Sequence, residues 1–189
     1  MQKKVKVLLA SKSPRRHQLI SELGFDFEIV EQDIEETFPD DMPKVIVPEY
    51  LAQQKAYAVQ DQLQPNSVIL ASDTIVLLND TIYHKPTDHD DAVRILSDLS
   101  GQMHQVVTGV YLLGKDKEVS FSEIADVYFD TLTKEEIEFY IKKYQPFDKA
   151  GAYAIQEWIG LAKILKIEGT YANIMGLPTH RVYQELMKF

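Results

Sequence analysis

The feature that most constrains the fold is a short apolar run near the N-terminus that ends abruptly in polar and basic residues. Residues 5–10 are apolar except for one lysine, as in a buried strand, and the next six residues read Ser-Lys-Ser-Pro-Arg-Arg. Ser13 is a favourable helix N-cap, and Pro14 suits the first helical position, where its missing N–H costs nothing. Apolar residues then recur at helical spacing until Gly24, which favours a helix end. The pattern predicts a strand, a tight turn and a helix.

The turn of this unit has the chemistry of a phosphate site. A helix N-terminus presents free backbone N–H groups, and Arg15 and Arg16 add two guanidinium groups beside them. Cations are unfavourable at the positive end of a helix dipole, so two arginines there indicate an external anion. The alternative is a surface helix with a basic first turn.

Composition excludes several functional classes. With 189 residues the chain can bury one sizeable core, and we expect one domain over residues 1–189. The net charge of −9 argues against a general nucleic-acid binder, although a local basic pocket for a small polyanion is compatible with it. The chain has no cysteine, which excludes a thiol nucleophile and Cys-ligated zinc.

The N-terminal segment does not have the pattern of a signal peptide. Met-Gln-Lys-Lys and the short apolar run after it are too short for one, and no apolar stretch is long enough to cross a membrane. We therefore expect a cytoplasmic protein without a membrane partner.

Strand and helix patterns alternate along the rest of the chain. Thr87 with Asp90, and Thr133 with Glu136, are predicted to be capping boxes at two helix starts. We predict a mixed α/β or α+β single domain, with a long mixed sheet flanked by helices. The predicted strands are 25–30, a hairpin over 68–83, 104–113, 119–131 and 161–168; the other predicted helices are 48–63 and one that begins after Pro178.

An aspartate stands in the most apolar of these strands. Asp73 interrupts the run 68–78, and burying an unpaired carboxylate is costly. It is therefore either paired with a structural partner or directed into a cleft that holds a metal or a substrate. Lys85 follows the same hairpin and could return to the neighbourhood of Asp73, although a Lys-Pro pair is also common in exposed loops.

Four other residues each have two interpretations. Lys55 borders the alanine stripe of its predicted helix, either as a surface lysine or as a ligand. Glu35 and Glu36 belong to a solvated acidic loop or bind magnesium beside substrate phosphates. Gln156 ends a turn-rich segment, either as part of a plain turn or to contact a base edge through its paired donor and acceptor. All five histidines are interpreted as structural.

These elements occur together in one order along nearly the whole chain, and the ordered set is more specific than any member. It closely resembles the Maf family of nucleoside triphosphate pyrophosphatases, once called septum formation proteins. The motifs are Ser-Lys-Ser-Pro-Arg-Arg at 11–16, Ser-Asp-Thr at 72–74, Lys-Pro at 85–86, Leu-Ser-Gly at 99–101, Asp-Lys-Ala-Gly-Ala-Tyr at 148–153, Ile-Gln at 155–156 and Met-Gly-Leu-Pro at 175–178.

The resemblance implies an α/β fold like that of inosine triphosphate pyrophosphatases, with a long sheet around a nucleotide cleft. It also implies a cytoplasmic enzyme, often a homodimer, that uses a divalent cation such as magnesium or manganese. Arg15, Thr74 and Gln156 resemble the branch that hydrolyses dTTP and UTP. The sister branch, associated with 7-methyl-GTP, has a bulky aromatic, a glutamine and a glutamate at these positions. Ala154 and residues 157–160 depart from the usual glycine-rich pattern, which affects the shape of the base pocket more than the chemistry.

By this resemblance the reaction is hydrolysis of a nucleoside triphosphate to the monophosphate and pyrophosphate. The triphosphate would lie on the turn from Ser11, its charge offset by Arg15, Arg16, Lys55 and Lys85. Asp73 would be the general base that activates water for attack at the α-phosphorus.

An aspartate near several cations is a weak base, however. The alternative is that Asp73 holds a metal ion that activates the water, with Glu36 as a second ligand.

Two other functions are compatible with these residues. The enzyme could act on modified pyrimidine nucleotides, for which dTTP and UTP are surrogates. Alternatively, the chain could be a nucleotide-binding regulator of cell division in which hydrolysis is incidental. A sensor needs the basic residues but not an aspartate beside them, which favours catalysis.

Overall fold

The computed structural model describes residues 5–31 and 34–189. The N-terminal tetrapeptide and two residues of the acidic segment, Gln32 and Asp33, lie outside the described residues. The strands are β1 (Lys6–Ala10), β2 (Phe27–Ile29), β3 (Ser67–Leu78), β4 (Thr81–Tyr83), β5 (Met103–Leu113), β6 (Glu118–Phe129) and β7 (Ile164–Glu168). The helices are α1 (Pro14–Glu22), α2 (Val47–Tyr57), α3 (His89–Leu99), α4 (Lys134–Tyr144), α5 (Trp158–Lys163), α6 (Tyr171–Ile174) and α7 (Thr179–Leu186).

The strands form one mixed sheet, which confirms the predicted mixed α/β class. Their order is β2-β1-β3-β5-β6-β7, and β4 pairs with β3 as the second arm of the predicted hairpin. Strand β1 is parallel to both β2 and β3, whereas β4 is antiparallel to β3 and β7 is antiparallel to β6. In the part of the chain that is described, no helix has the length and apolar character needed to span a membrane.

The described chain separates into two compact units. The first takes in the residues up to Asp73 together with Thr108–Glu123 and Gly176–Phe189. The second consists of Thr74–Val107 and Ile124–Met175.

In the first unit, α2 packs on β1 and β3 through small side chains. Its Ala52 and Ala56 are fully buried in one cluster with Leu8 of β1 and Ile69 of β3, so the predicted alanine stripe is confirmed. Alanines let a helix axis approach a sheet closely. Gly109 of β5 has the same effect, because a Cβ there would lie 2.1 Å from the backbone nitrogen of Glu49 in the first turn of α2.

In the second unit, α3 and α4 supply most of the helical core. The predicted capping box of α4 is present, with Thr133 and Glu136 bonded reciprocally. The side chains predicted to be internal are all buried: Ala92, Ile95, Leu96 and Leu99 of α3, and Ile137, Tyr140 and Ile141 of α4.

Three predicted details are wrong. The N-cap of α3 is Asp88, whose carboxylate accepts from the backbone of Asp91 at 2.8 Å, rather than Thr87. The helix predicted over 48–63 ends at Tyr57 and is followed by a separate 3-10 turn. The segment predicted as a strand from 161 begins inside α5, because a segment of eight residues is too short for its apolar spacing to separate the end of a helix from the start of a strand.

A neutral histidine is buried in the second unit. His104 of β5 is 1% exposed, and its Nε2 lies 2.8 Å from the Tyr153 hydroxyl. Its ring meets Phe129 and Tyr153 edge-on, with centroids 4.8 and 5.4 Å away. Burial lowers the pKa of His104 from the ordinary 6.5 to about 3.

This burial predicts a pH dependence of stability. Below pH 6.5 the unfolded chain binds a proton at His104, whereas the folded chain does not until about pH 3. The free energy of unfolding should therefore fall as the pH decreases across this window, with His104 contributing up to about 1.4 kcal/mol per pH unit. Urea denaturation at several pH values should show a shallower dependence for His104→Gln. His180→Gln, at an exposed position, is the control and should retain the wild-type slope.

Candidate active site

The candidate site lies where β1 ends and its parallel neighbour β3 continues. Ala10, the last residue of β1, is in register with Ala71, and β3 runs on through Ser72 and Asp73. Ligands of open α/β sheets bind outside the carboxyl ends of parallel strands. The register of β1 and β3 places the turn after β1 near the carboxylate of Asp73, at the strand ends where such a ligand would bind.

The turn from β1 into α1 is held by Ser11. Its hydroxyl oxygen accepts from the backbone N–H of Ser13 at 3.2 Å and lies 3.4 Å from Nη1 of Arg16. Its carbonyl oxygen lies 2.7 Å from Nε2 of His17. Pro14 begins α1 as predicted, but the N-cap residue Ser13 makes no side-chain capping bond there, so the first turn is oriented by Ser11 instead.

Arg16 is tied to a loop that comes from the C-terminal part of the chain. Its Nε donates to the carbonyl oxygen of Gly176 at 2.8 Å, and the Ser72 hydroxyl donates to the same oxygen at 3.3 Å. Burial and the neighbouring Arg15 lower the pKa of Arg16, while Asp73 and Glu36 act in the opposite direction. The contact with Gly176 holds the Arg16 guanidinium group beside the turn. The sequence motif at 175–178 does not predict this contact.

One lysine connects the two candidate carboxylates. Lys55 Nζ lies 2.6 Å from Asp73 Oδ1 and 3.0 Å from Glu36 Oε1. The side chains of Lys55 and Asp73 are 17% and 12% exposed, whereas that of Glu36 is 48% exposed. Asp73 therefore has the partner that a carboxylate in an apolar strand requires.

The packing of α2 explains why this lysine reaches Asp73. Lys55 lies between the buried Ala52 and Ala56 of α2, which hold the helix against β1 and β3. The surface interpretation of Lys55 is wrong, because its ammonium group is directed to the sheet edge rather than to solvent.

The arrangement can bind an anion and a metal ion together. Arg15, Arg16 and Lys55 outnumber the carboxylates of Asp73 and Glu36, so these five side chains together carry a local positive charge beside a helix N-terminus. Within residues 5–31 and 34–189, no three His, Asp or Glu side chains form a metal cluster. Magnesium usually binds through one or two carboxylates plus substrate phosphates, so Asp73 and Glu36 fit a cation that arrives with a phosphorylated ligand.

The structure brings together five of the residues that the sequence indicated: Ser11, Arg16, Glu36, Lys55 and Asp73. Arg15 adds its charge to that of Arg16. The remaining three belong to the second unit, where Thr74 is half-buried and Lys85 and Gln156 are exposed. The expected approach of Lys85 to Asp73 stays a prediction.

Removal of the shared lysine should destabilise the folded chain. Lys55→Gln removes the ammonium group in direct contact with the mostly buried Asp73 carboxylate, and we expect the free energy of unfolding in urea at neutral pH to fall by roughly 2 kcal/mol. Adding Asp73→Asn removes the carboxylate charge that lost this contact, so the double variant should recover about half of that loss.

An exposed ion pair provides the matched control. Lys6 and Glu28 lie 2.7 Å apart with side chains 43% and 52% exposed. Lys6→Gln should cost less than about 1 kcal/mol. An equally small loss for Lys55→Gln would show that the Lys55–Asp73 pair contributes little to stability.

The family model and the sequence relatives indicate one and the same protein family. The family model described as "Maf-like protein" matches residues 6–189. A "dTTP/UTP pyrophosphatase" of Bacteroides thetaiotaomicron is 45% identical over 186 residues, covering 98% of this chain and 96% of that protein. A protein of the same name in Phocaeicola vulgatus is 46% identical over 186 residues, with the same shares covered.

Among solved structures, the Staphylococcus aureus Ham1 protein aligns with a TM-score of 0.49 and 16% identity, over 66% of this chain and 71% of that one. The family model and the two sequence relatives span almost the whole chain. The chain belongs to the Maf-like protein family.

Proposed function

We propose that this protein hydrolyses nucleoside triphosphates, dTTP and UTP among them, to the monophosphate and pyrophosphate. The observation that carries the proposal is the Asp73 carboxylate, held by Lys55 at the strand edge where the basic turn of α1 begins. The names of the family relatives, dTTP/UTP pyrophosphatase, support the same reaction and substrates.

The triphosphate would lie on the turn that Ser11 orients. Backbone N–H groups at the start of α1 and the guanidinium groups of Arg15 and Arg16 suit phosphate oxygens. Arg16 is already held by Gly176, so little side-chain entropy is lost when it contacts the ligand. Lys55, beside Asp73, would offset further charge of the triphosphate.

Asp73 is the proposed proton acceptor. The water oxygen attacks the α-phosphorus, the bond from this phosphorus to the oxygen bridging to the β-phosphate breaks, and pyrophosphate leaves with the electron pair. The water proton passes to Asp73 Oδ. Stabilisation of the transferring phosphoryl group by the surrounding cations should supply most of the rate enhancement.

Asp73 and Glu36 would hold a divalent cation, magnesium or manganese. When bound, such an ion lowers the pKa of a coordinated water and neutralises phosphate charge. Asp73 would then hold the ion in addition to, or instead of, accepting the proton, and Lys55 keeps the carboxylates of Asp73 and Glu36 close to one another.

Base selection is assigned to Arg15, Thr74 and Gln156, and Lys85 is assigned to the phosphates. Gln156 is exposed at the end of a segment whose five preceding residues, 151–155, are all buried. Its amide offers a donor and an acceptor to a base edge. We further propose that the enzyme works in the cytoplasm on the nucleotide pool, as a homodimer, as the family resemblance implies.

The central variant is Asp73→Asn. It removes the proton acceptor and one metal ligand, so kcat for dTTP should fall by about 10²- to 10⁴-fold. Nucleotide affinity should be kept or increased, because a negative charge beside the triphosphate is lost. Asp116→Asn, in the exposed β5–β6 turn, is the control and should retain wild-type kcat. An active Asp73→Asn enzyme would contradict both roles of this residue.

The products identify the reaction. Pyrophosphate release from dTTP, UTP, CTP, GTP and modified pyrimidine nucleotides should be measured with magnesium, with manganese and with a chelator. We expect metal-dependent pyrophosphate from dTTP and UTP and little from GTP. Orthophosphate as the product would move the attack to the γ-phosphorus. Tight binding without turnover would instead indicate a nucleotide-binding regulator.

A further inference from the structure

The segment that carries Gln156 is fixed from both sides by one buried hydroxyl group. Tyr140 of α4 is fully buried. Its hydroxyl oxygen accepts from the backbone N–H of Ala154 at 3.0 Å and donates to the carboxylate of Glu157. These two residues flank the Ile155–Gln156 pair, so a single phenol holds the chain immediately before and after it.

The Glu157 carboxylate forms its hydrogen bond with Tyr140 rather than with the backbone of its own helix. It occupies the N-cap position of α5 but makes no capping bond there. Its carboxylate instead meets Tyr140 and lies 3.6 Å from Nζ of Lys149, a lysine that is only 8% exposed. Burial and Glu157 raise the pKa of Tyr140, so the phenol remains a donor throughout the physiological range.

The backbone of the same segment leaves little freedom for other conformations. The N–H of Glu157 donates to the carbonyl of Ala154 at 3.1 Å, which closes a tight turn around the pair. Ile155 is 4% exposed, and a Cβ on Gly160 would lie 1.8 Å from its carbonyl oxygen. The main chain is therefore packed on both sides, while the Gln156 side chain is exposed.

We propose that Tyr140 is a positioning residue for base selection, holding Gln156 through Ala154 and Glu157 so that its amide meets a pyrimidine edge. The inference rests on the proposed function and adds to it a residue of α4 that does not touch the substrate. Nothing in the reaction at the phosphates requires this hydroxyl, so its effect should fall on substrate binding.

The test is a double-mutant cycle on pyrophosphate release from dTTP. Tyr140→Phe removes only the hydroxyl, and KM should rise about fivefold to tenfold with kcat changed by less than about twofold. Gln156→Ala should raise KM at least as much. The double variant should have a KM within about twofold of Gln156→Ala alone, because a hydroxyl that acts through Gln156 has no effect once the amide is gone.

Two further variants separate positioning from general packing. Tyr144→Phe, one turn along α4 with its ring 5.0 Å from that of Tyr140, is the matched control and should keep the wild-type KM. Glu157→Gln retains an acceptor for the phenol and should keep KM within about twofold, whereas Glu157→Ala should behave like Tyr140→Phe. Tyr140→Phe could fail to fold, which a loss of cooperative thermal unfolding would show. In that case the KM values of Glu157→Gln and Glu157→Ala, each measured with and without Gln156→Ala, test the same inference.

The outcomes distinguish this inference from the proposed function. Additive effects of Tyr140→Phe and Gln156→Ala, or a Gln156→Ala enzyme with wild-type KM for dTTP, would overturn the positioning role while leaving the pyrophosphatase reaction intact. A wild-type protein that releases no pyrophosphate from any nucleotide would overturn the reaction itself.

Discussion

The contact of one ammonium group with two carboxylates is the interaction on which the candidate site depends. Asp73 stands in a twelve-residue strand that is buried almost throughout, where an unpaired carboxylate would be costly. Lys55 of α2 offsets that cost with its ammonium group 2.6 Å from Asp73 Oδ1. The lysine reaches it only because the alanines of α2 and the absence of a side chain at Gly109 allow the helix to lie close to the strands.

The same contact makes the carboxylates of Asp73 and Glu36 compatible with a neighbouring phosphate-binding site. A free Asp73 and Glu36 beside the turn of α1 would repel a triphosphate. With Lys55 between them, Arg15 and Arg16 remain as an excess of positive charge next to a helix N-terminus. The site can therefore attract a polyanion and still keep a carboxylate at the strand edge, where a water molecule can be deprotonated or a cation held.

Sequence patterns predicted those parts of the fold that repeat locally. Strand β1, the alanine stripe of α2 and the cores of α3 and α4 follow from the spacing of apolar residues. The start of α5 does not follow from the spacing of apolar residues, because a six-residue helix is too short to show a period. The Asp88 cap does not follow from it either, because spacing cannot choose between neighbouring polar residues. The anion site at Arg15 and Arg16 stays a prediction, made from the free N–H groups of the helix N-terminus, the two guanidinium groups and the helix dipole.

The pairings within the site were beyond sequence reasoning for a different reason. Lys55 and Asp73 are joined by packing across an entire helix and strand, and the tie between Arg16 and Gly176 links opposite ends of the chain. The sequence indicates only that residues 157–160 depart from a glycine-rich pattern, and the position of α4 reveals that the Glu157 carboxylate accepts a hydrogen bond from Tyr140.

Each unit contains the supports of its own functional residues. In the first, Asp73 depends on Lys55 and on the packing of α2; in the second, Gln156 is held by contacts from Tyr140 and Glu157. If the proposed roles hold, a change around Tyr140 should alter which base is accepted while the carboxylate, the lysine and the basic turn keep their contacts. One reaction could then be combined with different bases, because the contacts that hold Asp73 are not the ones that hold the chain on either side of Gln156.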